Sequence, residues 1–141
     1  MTDTYFNHIA ETGIRPSVQR VAIYSYLCEH PVHPTVDMVF SALSPDYPTL
    51  SRTTIYNTLK LFADSGLVQT IQIEEDKLRY DADITPHIHF KCLKCGNVYD
   101  ITDKKTLEIL DSSCCSLLPS NFIAKKIQTN IWGICSSCSV K

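Results

Sequence analysis

Residues 51–81 read SRTTIYNTLKLFADSGLVQTIQIEEDKLRYD, and the periodicity of this stretch changes once, at Gly66. Before it, Ile55, Leu59, Phe62 and Ala63 recur at helical spacing, with Ser51 as a start signal and Gly66 as a stop. That stripe leaves Arg52, Thr53, Tyr56, Asn57 and Lys60 together on the opposite face. After the glycine, residues 67–73 alternate apolar and polar, Glu74 to Lys77 make a turn, and Leu78 to Asp81 return, which predicts a hairpin. A helix with a polar and aromatic outer face, running into a two-stranded ribbon, is the closing half of a winged helix-turn-helix.

The flanking sequence fits that frame. Upstream, Pro16 stands at a plausible first helical position, and Val18, Val21, Ala22 and Ser25 predict a helix over 16–29. Pro31 and Pro34 break it, and Thr35 can cap a second helix carrying Val36, Val39, Phe40 and Leu43 before Pro45. Downstream, Asp81 to Pro86 reads as a hinge, 88–93 and 97–101 as strands, 103–118 as a helix with Leu107, Leu110, Cys114 and Leu117 inward, and 122–134 as a last strand. The expected class is α+β, with a winged-helix domain over 1–80, a hinge over 81–86 and an α/β domain over 87–141.

Composition sets limits. The 141 residues are 44% hydrophobic and 20% charged, ordinary globular values with no apolar run long enough to cross a bilayer. The first residues lack the basic start and apolar stretch of a secretory signal, so the expected place is the cytoplasm, where seven cysteines stay reduced. Net charge is −2, and residues 1–66 hold four basic side chains against six acidic ones. Bulk charge therefore does not advertise DNA binding, and any contact must come from a local arrangement.

Two C-x-x-C pairs, Cys92 with Cys95 and Cys135 with Cys138, carry the strongest chemical signal. Four thiolates suit zinc and can close a tetrahedron with no open position, so this site should be structural. The separation of the pairs is long for a compact zinc ribbon, but loop-closure entropy rises only logarithmically with length. Nearby, His87, His89, Asp81 and Asp100 offer nitrogen and oxygen, a set suited to iron, manganese or zinc that can keep a position open. On the residues alone, His87 and His89 read equally as two histidines on a wet sheet face. Asp81 and His33 are ordinary at a strand end and before a proline. Cys28 and Cys114 read as small core residues, Cys115 as an exposed thiol, and His8 and His30 as solvated.

Gly13-Ile14-Arg15-Pro16, Gln19-Arg20, His33-Pro34-Thr35, Thr54 to Leu59, Ser65 to Val68, His87 to Cys92 and Cys135 to Cys138 occur in the order and spacing of the ferric uptake regulator family, which the chain resembles from about residue 12 to residue 138. Within that family it is most similar to the peroxide-responsive branch. Asp100 stands where iron sensors usually carry Glu, Asn57 follows Tyr56 where they usually carry Arg, and the His-His-Asp-His run of iron sensors is absent. Positions 120–132 contain no histidine for the family's further metal site.

The resemblance implies a homodimeric repressor, not an enzyme, that binds double-stranded operator DNA and has no membrane attachment. It implies that Cys92, Cys95, Cys135 and Cys138 hold structural zinc, while His33, Asp81, His87, His89 and Asp100 hold regulatory iron(II) or manganese(II). It further implies that hydrogen peroxide is sensed by oxidation of a ligating histidine, His33 or His87. On the DNA domain, Arg15, Arg20, Arg52 and Lys60 would meet phosphates or groove edges, and Thr53, Tyr56 and Asn57 would read bases. The rival readings are an iron-responsive or zinc-responsive repressor on the same scaffold, a module in which both metals are structural, and a zinc hydrolase using His87, His89 and Asp100 around a water.

Overall fold

Side-chain caps start three of the helices in the first half of the chain. In the structure, a computed structural model that describes residues 2–85 and 87–139, the Ser17 hydroxyl accepts from the Arg20 amide, Thr35 from Met38 and Ser51 from Thr54. These caps open α2 (Val18–Glu29), α3 (Val36–Leu43) and α4 (Arg52–Asp64), which follow α1 (Thr2–Glu11). Helix α4 ends as Gly66 takes φ +83°, letting the Leu67 amide donate to the Phe62 carbonyl at 2.9 Å and the Gly66 amide to Ala63 at 3.1 Å. Strands β1 (Gln69–Ile71) and β2 (Arg79–Asp81) then pair antiparallel, with Gln69 opposite Asp81.

The chain divides into two compact units, residues 1–84 and 85–141. The first has a contiguous core in which Ile9, Ile23, Leu27, Val39, Ile55, Leu59, Phe62 and Tyr80 are all but sealed from water. Tyr24 stands edge-on to Phe62 at 5.9 Å and to Tyr5 at 5.8 Å, which binds α1 to α2 and α4. Removing a ring such as Phe62 from this core would cost about 3–5 kcal/mol.

The second unit is a three-stranded sheet in the order β4-β3-β5, formed by β3 (Ile88–Cys92), β4 (Val98–Ile101) and β5 (Asn130–Gly133). Strand β4 runs antiparallel to β3 and β5 runs parallel to it. Helices α5 (Lys104–Ser116) and α6 (Ser136–Ser139) complete the unit. Its buried apolar residues, among those described, are Ile88, Cys92 and Cys135. Phe122, Ile123, Ile109 and Trp132 lie half or more exposed.

Several expectations need correction. Helix α1 was not foreseen, because its short sequence supplies one fully buried residue, Ile9. Pro16 precedes the Ser17 cap instead of opening the helix. The hairpin strands are shorter than 67–73 and 78–81. Leu117, just past the end of α5, is 81% exposed and leaves the inward stripe, while Leu107, Leu110 and Cys114 of the helix are half-buried. The expected strand over 122–134 shrinks to Asn130–Gly133. Its parallel partner β3 begins at Ile88, and the register sets His89 against Asn130, with the His89 amide donating to the Thr129 carbonyl at 3.2 Å, so residues 122–128 lie beyond the start of β3. Helix α6 was not foreseen either. Pro86, at the end of the expected hinge, and residues 1, 140 and 141 lie outside the described residues.

Candidate metal centres and nucleic-acid interface

The first C-x-x-C pair sits on the turn leaving β3, and the second spans the turn from β5 into α6. All four sulfurs lie within 4.8 Å of one another. Zinc with bonds of about 2.3 Å in a tetrahedron sets its sulfurs about 3.8 Å apart. Cys95 Sγ and Cys135 Sγ are 3.8 Å apart. The set fits zinc in both chemistry and spacing.

Backbone amides prepare these thiols for metal. The Cys95 and Cys135 amides each donate to Cys92 Sγ at 3.4 Å, and these bonds pull the Cys92 thiol down to about 5. The Tyr99 hydroxyl, followed by the Cys138 amide, lowers Cys135. Cys138 is pushed up to about 12, chiefly by the neighbouring Cys135 sulfur. Without an ion the cluster must share protons among its sulfurs, and a divalent cation would replace them.

The nitrogen and oxygen donors form two groups, one in each unit. In the second, His87 Nε2 lies 3.3 Å and His89 Nε2 3.6 Å from Asp100 Oδ1, and the imidazole centroids are 4.4 Å apart. Cross-strand pairing explains the convergence, since His89 is directly opposite Asp100. Donors about 2.1 Å from one ion would stand roughly 3.0–3.4 Å apart, close to what is seen. His87 Nδ1 is 2.7 Å from the Thr85 carbonyl, an acceptor that fixes the proton on Nδ1 and frees Nε2 for a ligand. In the first unit, His33 Nε2 is 3.4 Å from Asp81 Oδ2, while Asp81 Oδ1 accepts from the Asp83 amide.

On α4, Arg52, Thr53, Tyr56, Asn57 and Lys60 are exposed together, as their spacing predicts, and Ile55, Thr58, Leu59 and Phe62 are buried behind them. Thr58 joins the buried side unexpectedly, and Ala63 is half-buried. Both cations of this face have acidic neighbours: Arg52 Nε bonds Asp37 Oδ1 at 2.8 Å, and Lys60 Nζ bonds Asp64 Oδ2 at 3.0 Å. The Arg52 guanidinium also stands 4.1 Å from the Phe40 ring centre. Arg20 Nη1 donates to the Arg15 carbonyl at 2.7 Å, and Arg15 is exposed.

The residues that sequence reasoning passed over are supporting ones: Thr85, Tyr99, Asp37 and Arg79. Thr85 lay within sight, two positions from His87. The 15-residue gap from Asp37 to Arg52 crosses two elements and leaves no periodic trace.

A winged-helix unit followed by a unit built around a thiolate cluster defines a metal-dependent DNA-binding regulator. The sequence pattern of the ferric uptake regulator family matches residues 11–117. The chain is 34% identical over 133 residues to the peroxide-responsive repressor PerR of Staphylococcus aureus strain Mu50, covering 94% of this chain and 88% of that protein. Among solved structures, the iron-bound ferric uptake regulator of Francisella tularensis matches with a TM-score of 0.72 at 23% identity, over 89% of this chain and 95% of that one. PerR from Streptococcus pyogenes matches with a TM-score of 0.53 at 28% identity, over 97% of this chain and 92% of that one. The chain belongs to the ferric uptake regulator family, and is at that level a metal-dependent transcriptional repressor. No described helix is long and apolar enough to cross a membrane.

Proposed function

We propose that this protein is a cytoplasmic repressor that binds operator DNA as a homodimer and is released by hydrogen peroxide. The likeness to peroxide-responsive repressors, at 34% identity over 94% of the chain, carries the peroxide assignment. Zinc at Cys92, Cys95, Cys135 and Cys138 is structural in this reading. Iron(II) or manganese(II) is regulatory, held jointly by His33 and Asp81 of the first unit and His87, His89 and Asp100 of the second. The mixed nitrogen and oxygen donors support those metals over a soft ion.

Ligands drawn from two units make the ion a bias on a hinge at residues 81–86. To move closure from about 1:99 to 99:1, the ion must favour the closed form by about 5.5 kcal/mol. Losing two of five ligands on opening is a difference of that order. Iron(II) held there would supply reductive cleavage of peroxide, and His33 or His87 would take up the oxygen atom. The Thr85 carbonyl keeps His87 Nε2 turned toward the donors, and the exposed apolar surface of the second unit supports its use as a dimer face. Arg15, Arg20, Arg52 and Lys60 meet the DNA backbone or groove edges, and Thr53, Tyr56 and Asn57 read base edges.

The test uses anaerobically iron-loaded protein. Operator binding should be lost after a peroxide pulse, with a gain of one oxygen atom on the peptides holding His33 or His87. Manganese-loaded protein should stay bound. Binding that follows iron supply but ignores peroxide, with no oxygen gain, overturns the peroxide reading in favour of an iron-responsive one.

A further inference from the structure

Strand β2 directs two alternate side chains at one residue. Arg79 and Asp81 share a face of the strand, and both reach His33. Asp81 Oδ2 meets the imidazole Nε2 at 3.4 Å, while Arg79 Nη1 donates to the His33 backbone carbonyl at 3.1 Å. Between them the Tyr80 amide donates to the Pro34 carbonyl at 3.0 Å. One short strand thus grips His33 by its ring, its carbonyl and the carbonyl that follows.

His33 needs that grip. Its φ is 55°, in the left-handed region that a side chain with a Cβ adopts only when its surroundings impose it. Arg79 is 8% exposed, and its charge is met by Glu74 through a two-point fork: Nε to Oε1 at 2.6 Å and Nη2 to Oε2 at 3.4 Å. Glu74 lies in the loop between β1 and β2, where Lys77 Nζ also approaches it at 3.4 Å. A buried arginine that spends three donors on one carboxylate and one carbonyl has a fixed geometry, which lysine cannot reproduce.

We infer that Arg79, braced by Glu74, is the positioning residue that holds His33 in its left-handed backbone so that the imidazole faces Asp81, thereby tying the hairpin loop to a ligand of the regulatory ion. The inference rests on the reading of His33 as one of those ligands. It makes the hairpin loop sensitive to ion binding.

The test is a double-mutant cycle on manganese(II) affinity in the full-length zinc-loaded dimer. Arg79→Lys should weaken manganese binding about tenfold or more, with zinc content and the cooperative melt retained. His33→Asn is the second arm, since asparagine tolerates a left-handed backbone. In that background Arg79→Lys should have no further effect. Wild-type affinity in Arg79→Lys, or equal weakening with and without His33, would assign Arg79 a purely structural role and overturn the inference. Should Arg79→Lys not fold, Glu74→Gln enters the same cycle with the same expectations. Hydrogen exchange across residues 32–35 in the manganese-free protein separates the backbone grip from the ligand role. Faster exchange in Arg79→Lys, together with unchanged manganese affinity in His33→Asn, would retain the grip and overturn the ligand role of His33. Unchanged exchange would overturn the grip itself.

Discussion

Tyr56 is 47% exposed on α4, turned away from the buried stripe beneath it. Replacing it with alanine removes nothing from the core, so folding, zinc content and dimerisation should persist. Its expected loss is discrimination, about tenfold or more between operator and mismatched DNA. Competition binding at fixed salt checks this, and retained sequence preference would move base reading elsewhere on the helix. Tyr24 makes the opposite case, a phenol inside the first unit's core. Burial, aided by Cys28, raises its pKa above the ordinary value of about 10. Folding thus holds the proton on, so this contribution to stability is complete below pH ~10 and falls as pH rises beyond it. Tyr24→Phe should flatten the alkaline loss of stability, measured by urea melts from pH 8 to 11. Tyr80, also raised by burial, would retain part of it.

At the scale of elements, legibility followed local chemistry. Thr35, Ser51 and Gly66 are start and stop signals written next to the helices they bound, and α3 and α4 came out of the sequence almost whole, whereas Pro16 drew the start of α2 away from its true cap, Ser17. The histidine pair and Asp100 were legible as candidates, but their convergence depends on the β3–β4 register, which no single stretch encodes. The run from 122 to 128 looked like strand because Phe122, Ile123 and Ile127 favour one, and it failed because a strand needs a neighbour. Strand β5 itself depends on Gly133, where an added Cβ would come 3.1 Å from the tip of the Phe90 ring. Gly133→Val should therefore push the ring aside and destabilise the second unit by about 1–3 kcal/mol. Trp132, the sole tryptophan, is the adjacent reporter, and an unchanged fluorescence melt would show that the ring yields freely.

The whole molecule joins units of unequal self-sufficiency. The first has a continuous core, whereas the second, among the described residues, buries few apolar side chains and gathers four sulfurs from the end of β3, its turn and the segment after β5. With zinc on those sulfurs as proposed, chelating it, or replacing Cys92 with serine, should therefore split unfolding into two events. Helical circular dichroism from the first unit should survive while Trp132 fluorescence shifts to the red and the dimer dissociates. A single cooperative transition with the dimer intact would show that zinc is dispensable.

The thiolate cluster also sets a timetable for synthesis. Strand β3 is the middle of its sheet, yet Cys135 follows Cys95 by 40 residues, and β5 is made just before it. At about 5–20 residues per second, a ribosome exposes the first cysteine pair for roughly 2–8 s before the second emerges. Throughout that interval the first unit can already fold, while β3 waits with one edge open and two thiols without their counterparts. Zinc scarcity or a burst of oxidant would thus strike newborn chains harder than finished ones, and pulse-labelled repressor should be lost under conditions that spare the standing pool.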